Sequence, residues 1–403
     1  MKKRIICGLA VIALAFCGFM GVNQWQPKER SITIVNDNAA ALEEKPEFQV
    51  AAKSAVLMDA DTGKVLFAQE AKTELPPASV TKVMTMLLLM EAEEDGRVKM
   101  DDMVTVSENA ASMGGSQMYL EPGEKHTAKE LLMGIAMVSA NDACVAMAEH
   151  LCGSVEMFVE RMNSRAQELG MKNTNFVNTN GLPAENHYSS AYDIAVMTRE
   201  LLRHEASREL LTKEQAVIKV GLPGKEKDFE LINTNKMLKQ YSGAIGVKTG
   251  FTQDAMYCLS AAAEREGTCL IAVVLGSESS AVRFGEAKKL LDYGFSNYET
   301  ITIAEKGETV KKLTLEKSTP QKIRIETGEN VCMLVKKGSD HEITSRIEIS
   351  EKIKVPVRKG EEAGRMVVYS AGVQADTFKL VYAESAEKAS FKEIYVRMMK
   401  KIG

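Results

Sequence analysis

Residues 83–90 read Val-Met-Thr-Met-Leu-Leu-Leu-Met, apolar on every side of a helix rather than along one stripe. A helix with no polar face is an enclosed helix, so this segment belongs at the centre of a core. Just before it stand Ser79 and Lys82, one helical turn apart and therefore on the same face. Lysine is among the residues least often fully buried unless it is paired. Burial also lowers its pKa towards the neutral amine, which can accept a proton. A lysine at a helix start can snorkel to solvent; the chemically consequential arrangement is a serine nucleophile with a lysine base.

At 403 residues the chain exceeds what one core usually holds, which predicts two domains. A net charge of −4 argues against a dedicated nucleic-acid binder. The first residues, MKKRIICGLAVIALAFCGFMG, set three basic residues before an apolar run, the pattern of a secretory signal over 1–23. An uncleaved anchor is the other reading, and Phe16 before Cys17 argues against lipidation. Either way the body of the chain is expected outside the cytoplasm. Two of seven cysteines fall in the leader. Cys144 and Cys152 are too far apart on a helix to bridge, and Cys258 and Cys269 do not face each other across a hairpin, so buried thiols are expected.

Residues 24–48 are mixed and polar, as in a linker. From residue 50 two strands are expected around a turn at Asp61-Thr62-Gly63, followed by the enclosed helix and helices over 127–138 and 142–151. Two amphipathic helices come next, in FVERMNSRAQELG and SSAYDIAVMTRELLRHE, and AMYCLSAAAEREGTCLIAVVLGS reads as a buried hairpin. Strands, helices, then strands again predict a mixed α/β, α+β-like catalytic domain over 49–297, with an antiparallel sheet flanked by helices. Clean alternation and recurring glycine turns over 298–384 predict a small all-β domain. Over 385–403, Phe391, Ile394, Tyr395, Met398, Met399 and Ile402 recur at helical spacing on a basic segment, as in a helix lying on a membrane surface or packed on the β domain.

Three short motifs carry chemistry. Ser79-x-x-Lys82 is weak alone, since Ser385-Ala386-Glu387-Lys388 matches it too. Ser139-Ala140-Asn141 is also weak: Ser107-Glu108-Asn109 has the same form, and Ser139 with Asp142 resembles a helix-capping pair. Lys248-Thr249-Gly250 occurs once, on an expected strand where a glycine lets backbone approach a ligand. The ordered set is specific. It is the signature of serine penicillin-binding proteins and class A β-lactamases.

With PASVTKVMT, GSQMYLEPGE, LLMGIAMVSANDACVAMAEH, NFVNTNGLP, HYSSAYDIAVMTREL and GVKTGFT, the chain resembles the low-molecular-mass penicillin-binding proteins, serine-type D-alanyl-D-alanine carboxypeptidases. The resemblance implies a β-lactamase/transpeptidase-like fold, a C-terminal β domain and a membrane-anchoring helix. It implies no cofactor and no metal, peptidoglycan stem peptides as substrate, and β-lactams as acylating inhibitors. By the same resemblance Ser79 would be the nucleophile, Lys82 its base and Ser139 a proton relay. Asn141 would hold substrate and Lys82, and Lys248, Thr249 and Gly250 would line the seat of the substrate carboxylate. Backbone N–H groups of Ser79 and Phe251 would form the oxyanion hole.

A class A β-lactamase is the near rival, but the Glu-x-x-Leu-Asn stretch those enzymes use for deacylation does not occur between Ser139 and Lys248. A D,D-endopeptidase of cross-links shares the chemistry and stays open, and a non-catalytic wall scaffold is opposed by the intact motifs. Five histidines form no HExxH, and no G-x-S-x-G elbow appears.

Overall fold

The computed structural model describes residues 30–34, 48–339, 341–350 and 353–402; the expected leader lies outside them. The chain forms two compact units, one gathering Thr33–Glu308 with Thr327–Glu342, the other built on Thr309–Glu326 and Ile343–Gly403.

The first unit is organised by a five-stranded antiparallel sheet, in the order Val65–Gln69, Ser54–Asp59, Thr268–Ser277, Met256–Arg265, Ala244–Thr252. Its central strands read as near-continuous apolar runs because both faces are covered. Successive side chains point to opposite faces. Val56, Met58, Ile271 and Val273 enter a core shared with the helices, whereas Ala55, Leu57, Leu270 and Ala272 meet Phe284, Leu290 and Leu291 of the Ser280–Asn297 helix. The helix enclosed on all sides is Lys82–Glu94, whose residues from Lys82 through Met90 are all buried. Around it pack Ala128–Met137, Asn141–Cys152, Val155–Glu168 and Ala191–Leu202. The five cysteines of the described residues are free thiols, as the spacing predicts.

Ala128–Met137 leads directly to the Ser139 turn, and its start is fixed by sequence. The Thr127 side chain accepts from the Glu130 N–H, and the Glu130 carboxylate accepts from the Thr127 N–H at 2.9 Å. This reciprocal cap satisfies two N–H groups that helix geometry orphans.

Three boundaries differ from the sequence reading. Within the stretch read as a linker, Arg30–Ile34 is a strand at the edge of a six-stranded sheet, consistent with the β-branched alternation Ser-Ile-Thr-Ile. The change in pattern at 298 does not mark a packing boundary. Tyr298–Ala304 and Val331–Lys336 pair with each other inside the first unit, where Tyr298 and Leu334 join the core under the Ser280–Asn297 helix. The terminal helix starts at Phe391 rather than 385. Ser390 and Glu393 cap it reciprocally, while Glu387–Lys388 pairs as a strand with Ser318–Thr319.

Replacing Thr127 with Ala removes one half of the reciprocal cap. The expected cost is about 1 kcal/mol of stability, read as a lower urea midpoint with unchanged slope.

Candidate active site

Ser79 lies in a single turn of tight helix, Ala78–Thr81, that runs straight into the enclosed helix at Lys82. Ala78 just before it has φ of +48°, a conformation that L side chains rarely adopt. Gly181 and Gly250 explain how the turn is clamped. A Cβ on Gly181 (φ +87°) would stand 1.8 Å from the Ala78 carbonyl oxygen. A Cβ on Gly250 would stand 3.0 Å from the Ser79 backbone nitrogen. The edge strand Ala244–Thr252 therefore runs against the serine turn with no room for a side chain between them.

Lys82 is fully buried and uses its amine three times: 3.1 Å to Ser79 Oγ, 2.7 Å to Asn141 Oδ1 and 2.6 Å to the Asn180 carbonyl oxygen. Burial pushes its pKa down to about 8, with Cys144 and Asp142 opposing. Three donors of an ammonium match these three acceptors. A neutral amine has two N–H groups for the two carbonyl-type oxygens, and its lone pair then faces the Ser79 hydroxyl. The site accommodates both protonation states, as a base requires.

Ser139 has φ of +64°, and its buried hydroxyl has no hydrogen-bond partner among the described residues. It is not a helix cap: Ala140 occupies that position without a side-chain bond. Asp142 instead accepts from the N–H groups of Met118 and Leu120, fastening the preceding loop. A buried, unpartnered hydroxyl on a left-handed residue two positions before Asn141 is an arrangement that points to function. Asn141 completes the bridge by donating from Nδ2 to the Gly114 carbonyl at 2.6 Å.

Lys248 and Thr249 are both buried, and Lys248 Nζ donates to the Thr249 carbonyl at 3.0 Å. Burial, then the nearby Lys82 charge, lowers Lys248 well below the usual lysine range. No carboxylate pairs with it among the described residues. Phe251 is half exposed, with its ring 4.4 Å from that of Tyr257.

The structure brings Ser79, Lys82 and Asn141 into one hydrogen-bonded group, with Gly250 against Ser79. The look-alike motifs have other partners: Ser107 caps Glu108–Ala111, and Ser385 accepts from the Lys359 N–H. Sequence reasoning missed three contributors. Asn180 acts through its backbone, which carries no sequence signal beyond the Asn-Gly turn at 180–181. Gly181 itself is needed for close approach. Arg283, buried on the Ser280–Asn297 helix, donates to the Gly250 carbonyl at 2.8 Å and the Cys258 carbonyl at 3.1 Å, holding the strand that carries Lys248. A cavity of about 400 Å³ opens beside the turn, lined by Ala78, Gly181, Leu182, Thr252 and Asp254 among others.

Comparison with known proteins shows the family. Residues 39–279 match the family model described as D-alanyl-D-alanine carboxypeptidase, and residues 298–388 match that of the penicillin-binding protein 5 C-terminal domain. The chain is similar to D-alanyl-D-alanine carboxypeptidase DacF of Bacillus subtilis, 45% identical over 86% of this chain and 89% of the relative. It is 32% identical to DacC of Escherichia coli over 85% and 86% of the two chains. Among solved structures, penicillin-binding protein 5 of Haemophilus influenzae superposes with a TM-score of 0.66 at 30% identity, covering 86% of this chain and all of that one.

If Lys82 is the group that accepts a proton, kcat/KM on a peptide substrate rises about tenfold per unit below its pKa and levels above it. The break is expected near the value of about 8 that burial gives Lys82. A Lys82→Met protein, measured the same way, is expected to keep the fold and lose the ionising limb together with the activity.

Proposed function

The chain belongs to the D-alanyl-D-alanine carboxypeptidase family of serine peptidases, and on that premise we propose that Ser79 removes the terminal D-alanine from peptidoglycan stem peptides through an acyl-enzyme. The observation that carries this reading is the buried Lys82 amine 3.1 Å from Ser79 Oγ, braced by Asn141 and Asn180.

An extended peptide can add to the free edge of Ala244–Thr252. With its carboxylate at Lys248 and Thr249, its last amide lies at Gly250 and Ser79, and upstream residues run towards Thr252 and the cavity. The Ser79 hydroxyl attacks the carbonyl between the two D-alanines as its proton passes to Lys82 Nζ. Negative charge on the carbonyl oxygen is met by the Ser79 and Phe251 N–H groups. The C–N bond then breaks, the Ser139 hydroxyl giving a proton to the departing amine and regaining one from Lys82. Water attacks the ester and releases the shortened peptide. A β-lactam follows the first half of this course, but its leaving amine stays tethered to the acyl group.

The expected setting is outside the cytoplasm, on peptidoglycan. No helix among the described residues is long and apolar enough to cross a membrane. Phe391–Ile402 offers a different attachment. Phe391, Tyr395, Val396, Met398 and Met399 are exposed, while Arg397 is tied to the Ser318 carbonyl at 2.8 Å. An exposed apolar face on a basic segment suits the surface of an anionic bilayer.

The full chain is expected to release D-alanine from an acyl-Lys-D-Ala-D-Ala peptide, and Ser79→Ala to lose at least about a thousandfold of that rate. Activity confined to cross-linked wall fragments would instead establish the endopeptidase. On vesicles of phosphatidylglycerol and phosphatidylcholine, the full chain is expected to co-sediment. A variant with Phe391, Met398 and Met399 changed to Ser is expected to stay in the supernatant with peptidase activity intact.

A further inference from the structure

Thr234 lies outside all three motifs, yet touches two of the segments that carry them. Its N–H donates to the Met137 carbonyl at 3.0 Å, two residues before Ser139. Its hydroxyl is 3.0 Å from that of Thr249. The turn that presents it is braced on both sides. Asn233 Oδ1 accepts from the Asn235 N–H at 2.9 Å, and Asn235 Oδ1 accepts from the Met237 N–H at 3.1 Å. Thr234 itself is exposed, whereas Thr249 is buried.

The hydroxyl pair has a direction once the substrate is considered. A hydroxyl carries one hydrogen. If Thr249 gives its hydrogen to Thr234, it has none for a carboxylate. If Thr234 donates to Thr249, the Thr249 hydrogen is free, and a hydroxyl that accepts a hydrogen bond becomes a stronger donor. An anion at Lys248 and Thr249 selects the second arrangement. We propose that Thr234 is a positioning residue for the substrate's terminal carboxylate: it donates to Thr249 Oγ1 and turns the Thr249 hydroxyl hydrogen towards the anion. This rests on the carboxypeptidase reading and assigns to that site a fourth element that the three motifs do not include.

The test uses the full chain and two acyl donors that react at the same carbonyl. One is acyl-Lys-D-Ala-D-Ala; the other is the thioester acyl-Lys-D-Ala-S-ethyl, activated and without a carboxylate. Thr234→Val keeps the shape and removes the hydroxyl. It is expected to lower kcat/KM on the peptide about tenfold or more, as for loss of one charge-assisted hydrogen bond. Turnover of the thioester should change less than twofold, and Thr234→Ser should restore the peptide. An equal loss on both donors would make Thr234 merely structural, and no loss on either would leave it without a role; each overturns the proposal. A parent protein that turns over neither donor would refute the carboxypeptidase reading itself.

Discussion

The site depends on keeping one amine dry. Lys82 opens a helix whose next eight residues are buried, so its side chain cannot reach water and must be satisfied by protein oxygens. The three it finds come from three separate elements: the serine turn, the Asn141 helix and the 178–182 loop. Each of these is in turn tied elsewhere. Asn178 Oδ1 accepts from the Gly181 N–H at 2.7 Å, and the Thr85 hydroxyl donates to the Thr179 carbonyl at 2.6 Å, fixing the loop to the same helix. Removing the amine leaves two buried oxygens without a donor, at about 1–3 kcal/mol each. The enclosed helix thus creates the need for the polar constellation and positions it.

Close backbone approach supplies the rest of the geometry. Glycines at 181 and 250 allow two segments to press on the Ser79 turn from different sides, and Ala78 takes up a left-handed conformation between them. Such conformations persist where surrounding structure over-determines them. Arg283 adds to this by holding the carbonyls of Gly250 and Cys258, with its guanidinium 5.4 Å from the Tyr257 ring and 4.9 Å from that of Phe284. The edge strand that carries Lys248 is therefore fixed by Arg283.

Much of this was legible in the chain. The enclosed helix, both hairpins and the three motifs are written in residue type and period, and side chains chosen for chemistry are visible wherever they stand. What escaped acts through backbone or distance. The Asn180 carbonyl could belong to any residue, and Arg283 reaches the strand from a helix over 30 positions downstream. Packing divides the chain differently from the pattern, for a related reason, although the C-terminal family match also begins at 298. Alternation begins at 298, but Tyr298 and Leu334 still belong to the first core, and pattern alone does not say which face a strand will share. The segment 385–390 looked helical by proximity, whereas the Ser390–Glu393 cap sets a later start.

On the proposed reading, electrostatics favours a peptide that ends where it is cut. Lys82 and Lys248 share one buried region, and each is driven towards its neutral form by lack of water. A carboxylate arriving beside Lys248 supplies the missing countercharge and raises its pKa. A chain continuing past the second D-alanine as a neutral amide would bring no charge, and Lys248 would stay desolvated with the Thr249 carbonyl as its partner among the described residues. On the proposed reading, recognition of the terminus therefore rests on Lys248, a lysine that the fold has removed from water.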